Sequence, residues 1–265
     1  MPELPDVQVY KEYVDATSLH RRITGVDSDA ADLRESVSPR TFRRHLDGHE
    51  IRGTRRHGKH LFLDVTGGGG WLRMHFGMTG ALDYARKEPA PDHARLVLEF
   101  ADDDRLAYVN QRKFGELGFV DDVDDFVESQ DLGPDAMDLD QEGFVERLEG
   151  RRGGIKSALM NQSTIAGLGN VYVDEILFHA GLHPESPVSD LDEDALAGLY
   201  RAMRHDLEKA IEARADSDRM PDSWLIHRRE EGATCPSCGH EIEKTRVSGR
   251  STYLCPHEQP KPGGS

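Results

Sequence analysis

Pro2 and Glu3, side by side at the start of the chain, are the residues whose types most directly suggest chemistry. A small second residue favours trimming of Met1, which leaves Pro2 with a free secondary amine. An α-amino group titrates near pKa ~8, against ~10.4 for lysine, so a useful fraction is neutral at physiological pH. A neutral amine is a nucleophile that attacks a sugar C1′ or a carbonyl and forms a Schiff base. Glu3 supplies a carboxyl group for proton transfer at the same centre. The same residues also suit a plainer role, a protected terminus followed by a helix that starts at Pro5.

Cysteines make a second constellation. Cys235 and Cys238 form a Cys-Pro-Ser-Cys knuckle, and Cys255 follows after sixteen residues. Thiolates on tight knuckles suit tetrahedral Zn²⁺, and the pattern is three-quarters of a four-cysteine ribbon. The position of a fourth cysteine holds Glu258; His257, in Cys255-Pro256-His257, is the first candidate to replace it and Glu258 the second. A hairpin this small builds little core alone, so metal binding contributes directly to its folding. A degenerate, metal-free hairpin is the alternative.

Further motifs lie between these ends. Ile165 to Tyr172 places Gly167, Gly169 and Asn170 just before a helix, where glycines let backbone approach a ligand and a helix N-terminus attracts phosphate. Taken alone, a structural helix–turn–helix explains it equally well. Arg55 to His60 is a cationic island that includes Lys59. The loops His75 to Gly80 and Asn110 to Gly115 present Met78, Arg112 and Phe114 at strand ends. Apolar and guanidinium wedges of this kind fill the gap left by an extruded base, although by composition alone Met78 and Phe114 are more often core residues. His57, His60, His179 and His183 have no metal-ligand spacing and are expected to be structural or superficial.

The elements that must position these residues follow from periodicity. Residues 5–18 predict a helix with Val7, Tyr10 and Val14 on its apolar stripe. From about 21 to 120, short alternating segments separated by Gly67–Gly70 and Asp102–Asp104 predict a β-sandwich or barrel. Residues 126–140 are acidic, contain Gly133-Pro134 and predict a linker. Helices are expected at 155–162, 170–180 and 191–214, the last with Asp190 as N-cap and Glu193 as its partner. The fold class is thus α+β: an N-terminal helix and β-sandwich over 1–125, the linker, a helical domain over 141–222 and a zinc-ribbon hairpin with its tail over 223–265. A disordered tail is expected from Pro260.

Composition bounds the function classes. No run approaches the ~20 apolar residues of a membrane helix, and no apolar signal region opens the chain, so a cytoplasmic location is expected. The formal net charge is −16 over 265 residues, unusual for a nucleic-acid binder. The acids cluster apart from basic islands at 52–60, 151–156 and 244–250. An acidic coat with arginine as the main base also fits a high-salt cytoplasm. In high salt, counterion release contributes little, and binding leans on stacking and fixed hydrogen bonds.

The order of the motifs is more specific than any one of them. Pro-Glu-Leu-Pro, Gly-x-x-x-Phe-Leu after a basic run, His-x-Gly-Met-Thr-Gly, Arg-Lys-Phe-Gly, Gly-Leu-Gly-Asn-Val-Tyr-x-x-Glu and a terminal zinc ribbon occur in sequence. From Pro2 to about Gln259 the chain resembles the formamidopyrimidine-DNA glycosylase / endonuclease VIII family of base-excision repair enzymes. The resemblance implies a monomeric DNA glycosylase and AP lyase with a helix–two-turns–helix domain, acting on damaged double-stranded DNA. It implies Pro2 as the nucleophile at C1′, Glu3 as general acid/base, and Lys59 as a phosphate contact that assists at the lesion. Met78, Arg112 and Phe114 would fill the void in the duplex. Asn170 and Arg250 would clamp phosphates, and Glu175 matches a further family carboxylate. Strand cleavage would follow by β- and then δ-elimination.

Three departures qualify this. Asp6 stands where the family usually has Glu, the ribbon lacks its fourth cysteine, and the segment 213–234 lacks the glycine- and threonine-rich loop of 8-oxoguanine-type members. Oxidised pyrimidines, ring-opened purines and abasic sites all remain open as lesions. A non-catalytic damage-binding protein of the same fold is the main alternative, with a zinc-ribbon RNA binder third.

Overall fold

Helix α1 spans Leu4–Thr17 in the computed structural model of the chain, which describes residues 1–68 and 70–262. Its stripe is the expected one: Val7 and Val14 are fully buried and Tyr10 packs against the same core. The chain forms two units. The first comprises Met1–Pro2 and Asp6–Gln130, and the second comprises Glu3–Pro5 with the chain from Asp131 onward.

Two sheets build the first unit. After β1 (Ile23–Ser28), β2 (Glu35–Ser36) and helix α2 (Pro39–Leu46), the strands are β3 (Ile51–His57), β4 (His60–Val65), β5 (Trp71–His75), β6 (Gly80–Arg86), β7 (Ala94–Phe100), β8 (Asp104–Asn110) and β9 (Glu116–Val120). One sheet has the order β1-β7-β8-β6 and the other β2-β9-β5-β4-β3. Alternation sends Leu96, Leu98, Leu106 and Tyr108 of the first, and Leu61, Leu63, Leu72 and Met74 of the second, into one buried cluster. That is the sandwich expected from the strand pattern. Of the glycine turn 67–70, Gly69 lies outside the described residues.

The stretch expected as a linker is structured. Helix α3 (Val123–Ser129), capped by Asp122, takes up its beginning. Beyond Asp131 the chain packs: Gly133 N–H donates to the Gln162 carbonyl (2.8 Å) and Ala136 N–H to that of Ala166 (3.1 Å). Asp135 and Ala136 are both buried. Acidic residues and Gly-Pro suggested a solvated tether, but Asp131, Asp138 and Asp140 face water, while Asp135 and the small residues dock.

Four helices build the core of the second unit: α4 (Gln141–Leu148), α5 (Ile155–Met160), α6 (Asn170–His179) and α7 (Glu193–Glu212). Leu196, Leu199, Met203, Leu207 and Ala210 form the buried stripe of α7, as its periodicity predicts. The cap differs from expectation: Asp192, not Asp190, accepts from Ala195 N–H (2.8 Å), and Asp190 lies in a preceding 3₁₀ turn. Both aspartates can cap, and the turn takes the first. The hairpin β10 (Glu243–Val247) and β11 (Arg250–Leu254) ends the unit. Of the expected tail, residues 263–265 lie outside those described, and Pro260–Pro262 form no helix or strand. Among the described residues, no helix is long and apolar enough to cross a membrane.

One buried group in the first unit makes stability depend on pH. The His60 imidazole stacks near His75 (ring centroids 4.9 Å apart) and against Phe126, and its Nδ1 has no hydrogen-bond partner. Burial drives its pKa well below 6.5, and the charges of His75, Arg73, His57 and Lys59 push the same way. The folded pKa lies below the unfolded one, so the unfolded chain binds the extra proton. Stability then falls as pH drops below about 6.5. His60→Phe should flatten this acid-side loss by up to about 1.4 kcal/mol per pH unit, the limit for one proton. Urea unfolding between pH 7 and 5 measures it; parallel curves for the two proteins would refute it.

Candidate nucleic-acid and catalytic site

Glu3 shows how the Gly-Leu-Gly-Asn motif works. Its carboxylate is 1% exposed and caps helix α6 from outside: Val171 N–H donates to Oε1 (2.9 Å) and Tyr172 N–H to Oε2 (3.2 Å). The helix dipole favours an anion there. Both glycines serve this seat. A Cβ on Gly169 would lie 2.2 Å from the Glu3 carboxyl carbon. Gly167, at φ +109°, accepts Leu4 N–H at 3.1 Å and donates its own N–H to Gln162 Oε1 (3.0 Å), and a Cβ there would strike Leu4. The helix N-terminus expected to attract an outside phosphate therefore holds the chain's own carboxylate. Gly169→Ala should displace Glu3 by an ångström or so and lower single-turnover base release roughly 10²-fold. An unchanged rate would show that the seat does not matter.

Asn170, next in the motif, reaches the hairpin instead of lying free. Its Nδ2 donates to the Ser251 carbonyl (2.9 Å), and its buried Oδ1 has no hydrogen-bond partner. Arg250 opens β11 beside it and is exposed, at a turn where Ser248 (φ +49°) and Gly249 (φ +77°) adopt left-handed backbone. The two expected phosphate-clamp residues are thus brought together by strand and helix.

A buried polar network, announced by no local motif, fixes that hairpin. Lys156 and Asp174 are both fully buried and paired at 2.6 Å. Lys156 also donates to Thr252 Oγ1 (2.7 Å), while Arg229 (2.7 Å) and Tyr253 N–H (3.2 Å) donate to the second Asp174 oxygen. Burial lowers the Lys156 pKa, and Asp174 opposes that shift. Only the position of Asp174 next to Glu175 hints at it in the sequence; its partners come from three separate stretches.

Glu175 is likewise a backbone clamp. Its oxygens accept Leu225 N–H and Ile226 N–H, each at 2.8 Å. Burial raises its pKa to about 7. The segment from 213 onward, which lacks the glycine- and threonine-rich loop, is held here by short 3₁₀ turns at Ser217–Arg219 and Leu225–Arg228.

In the first unit the wedge residues converge. Pairing of Gly80 with Asn110 brings the 75–80 and 111–115 loops side by side. A Cβ on Gly77 (φ +59°) would sit 2.4 Å from the Phe114 carbonyl oxygen, so only glycine allows this approach. Asn110 Nδ2 donates to the Phe76 carbonyl (3.1 Å), which stiffens the base of the loops. Met78 and Phe114 are 41% and 46% exposed, so neither is a core residue, and the Arg112 guanidinium lies 5.5 Å from the Phe114 ring centre. Lys59 sits at the β3–β4 turn after Gly58 (φ +55°), half-buried. Pro2 is half-buried and Asp6 lies in the first turn of α1.

The three thiols converge as a metal site requires. The Sγ atoms of Cys235, Cys238 and Cys255 all lie within 4.8 Å of one another, with Cys238 and Cys255 3.5 Å apart. Their soft donor set fits structural zinc, and Phe178, Leu225 and Ile242 pack around it. His257 stacks on His240 (4.1 Å between centroids), and the two imidazoles and Cys238 also fall within 4.8 Å of one another. Glu258 lies beside the Cys238 thiol. Both candidates for the fourth ligand therefore stand beside the same cysteine.

Residues 1–117 match the family model for the formamidopyrimidine-DNA glycosylase N-terminal domain, 132–222 the H2TH domain of the same enzymes, and 232–257 a zinc finger found in FPG and IleRS. The chain is similar to formamidopyrimidine-DNA glycosylases of Gluconobacter oxydans (36% identical, covering 97% of this chain and 99% of the relative) and Roseiflexus sp. (34%, covering 98% and 100%). A Lactococcus lactis formamidopyrimidine-DNA glycosylase, solved non-covalently bound to DNA containing an AP site, superposes with a TM-score of 0.85 at 31% identity, covering 98% and 100% of the two chains. A MutM structure in complex with DNA containing carbocyclic 8-oxo-G gives 0.86 at 31%, with the same coverage.

Proposed function

The chain belongs to the formamidopyrimidine-DNA glycosylase family, and we propose on that footing that it excises a damaged base from duplex DNA and then cleaves the strand. The seat of Glu3 is the observation that carries this. A carboxylate held by two backbone N–H groups, covalently next to Pro2, is a fixed proton-transfer group beside an amine nucleophile. The Pro2 nitrogen attacks C1′, the glycosidic bond breaks, and the departing base leaves with a proton. The amine loses its own proton to Glu3, and the C1′–O4′ bond breaks as the iminium forms, the ring oxygen taking that proton back from Glu3. The iminium acidifies the C2′ hydrogens; their removal expels the 3′-phosphate by β-elimination, and δ-elimination then frees the 5′ side. Glu3 carries the proton to and from the sugar.

The remaining roles divide by geometry. Met78, Arg112 and Phe114, exposed on adjoining loops, enter the space vacated by the flipped nucleotide. Lys59 contacts the phosphate at the lesion, and Asn170 and Arg250, tied together through Ser251, hold flanking phosphates. Asp6 supports the first turn of α1, and Glu175 fixes the segment around Leu225. Zinc, bound by Cys235, Cys238 and Cys255 with His257 as the fourth ligand, holds the hairpin that carries Arg250. The enzyme acts as a cytoplasmic monomer.

Borohydride trapping on duplexes carrying an oxidised purine, an oxidised pyrimidine, a formamidopyrimidine or an abasic site tests this. A covalent adduct with at least one of them is expected, and the panel ranks the lesions. Binding to the duplexes with no adduct on any of them would establish the non-catalytic alternative.

A further inference from the structure

Asp206 is the one carboxylate on the buried stripe of α7, fully buried between Met203 and Ala210. Its Oδ1 lies 2.7 Å from His179 Nδ1 and 3.1 Å from His205 Nδ1, while its Oδ2 is buried with no hydrogen-bond partner. On the far side of the His179 ring, Nε2 is 3.5 Å from Glu175, a second buried carboxylate. Two buried carboxylates thus flank one imidazole, and one of their oxygens is unsatisfied. Buried charge of this kind is normally paired or bound to metal, and an orphaned buried oxygen marks a missing partner.

We propose that His179, His205 and Asp206 form a second metal site, distinct from the cysteine module, for a divalent first-row transition ion of the zinc type. Their ligand atoms all fall within 4.8 Å of one another. Ligands at about 2.0–2.1 Å from tetrahedral zinc lie roughly 3.3 Å apart, so the two imidazole–carboxylate spacings of 2.7 and 3.1 Å need to open by about 0.2 to 0.6 Å. Two imidazoles and a carboxylate are a nitrogen–oxygen set suited to zinc, cobalt or nickel rather than to calcium or magnesium. Glu175 stands where carboxylates characteristically orient a ligating histidine through its other ring nitrogen. The His205 side chain is 58% exposed, which gives an ion a route in and leaves a coordination position for water. The three residues come from two helices, so no spacing in the sequence announced them.

The experiment uses the full-length protein. It is dialysed to equilibrium against buffered zinc, and bound metal is counted by atomic emission. Parent protein should hold a second zinc equivalent beyond the cysteine site, and His205→Ala and His179→Gln should each lose that equivalent alone. Cobalt added to parent that carries a single zinc equivalent should give visible bands without thiolate charge transfer, absent in His205→Ala. Added zinc should raise the melting temperature of the parent but not of His205→Ala. His205 is largely exposed, so its truncation leaves the fold intact. A single zinc equivalent in the parent, or a second equivalent that persists in His205→Ala, would overturn the proposal and leave a His–Asp–His hydrogen-bond relay.

Discussion

Blocking the residue-2 amine should abolish borohydride trapping and lower base release by on the order of 10³-fold or more, the scale on which removal of a nucleophile acts. Two forms make the block: protein that retains Met1, and protein carrying an extra residue ahead of Pro2. Pro2→Gly keeps a free, though primary, amine and should still trap, at reduced rate. Glu3→Gln keeps the amine and loses the proton carrier, so its expected loss is smaller, about 10²–10⁴-fold, and concentrated in base release. The pattern matters more than any single value. An N-terminally extended protein that still trapped would move the nucleophile to a lysine, with Lys59 first in line.

The largest effect on stability is expected at the Lys156–Asp174 pair. Both side chains are fully buried, and Asp174 also takes Arg229 and the Tyr253 backbone N–H. Asp174→Ala leaves a buried ammonium with Thr252 as its remaining polar partner. Breaking such a pair from one side costs about 3–5 kcal/mol, whereas replacing both members by apolar residues is often near neutral. The double variant Lys156→Met/Asp174→Leu should therefore regain most of what Asp174→Ala loses. Urea unfolding midpoints decide between these outcomes. A double variant as unstable as the single would mean that the network matters through Arg229 and Tyr253 and not through the lysine.

What could be read from the chain was whatever is written contiguously. Pro2 and Glu3 are neighbours, the cysteine knuckle is four residues long, and the stripes of α1 and α7 are periodic. The β-sandwich was legible for the same reason, since alternation is local. Contacts made by residues far apart in sequence were not. Nothing in Gly167-Leu168-Gly169-Asn170 tells whether the approaching anion is a phosphate or Glu3, because glycine removes a side chain without specifying what fills the space. His179 looked superficial on spacing alone, and its neighbours Asp206 and Glu175 become visible only once α6 and α7 pack. The acidic stretch after α3 misled because charge density reports the solvent-facing side and not the docked one.

Seating Glu3 on backbone N–H groups also bears on ionic strength. A catalytic carboxyl oriented by a surface arginine would have to compete with dissolved cations and anions, and at molar salt, with a screening length of about 3 Å, that competition is severe. Peptide N–H groups at a buried helix end carry no exchangeable counter-ion and offer salt no foothold. For a protein of net charge −16 that must meet a polyanion, the orientation of the carboxylate proposed as its proton carrier is decoupled from the electrolyte around it.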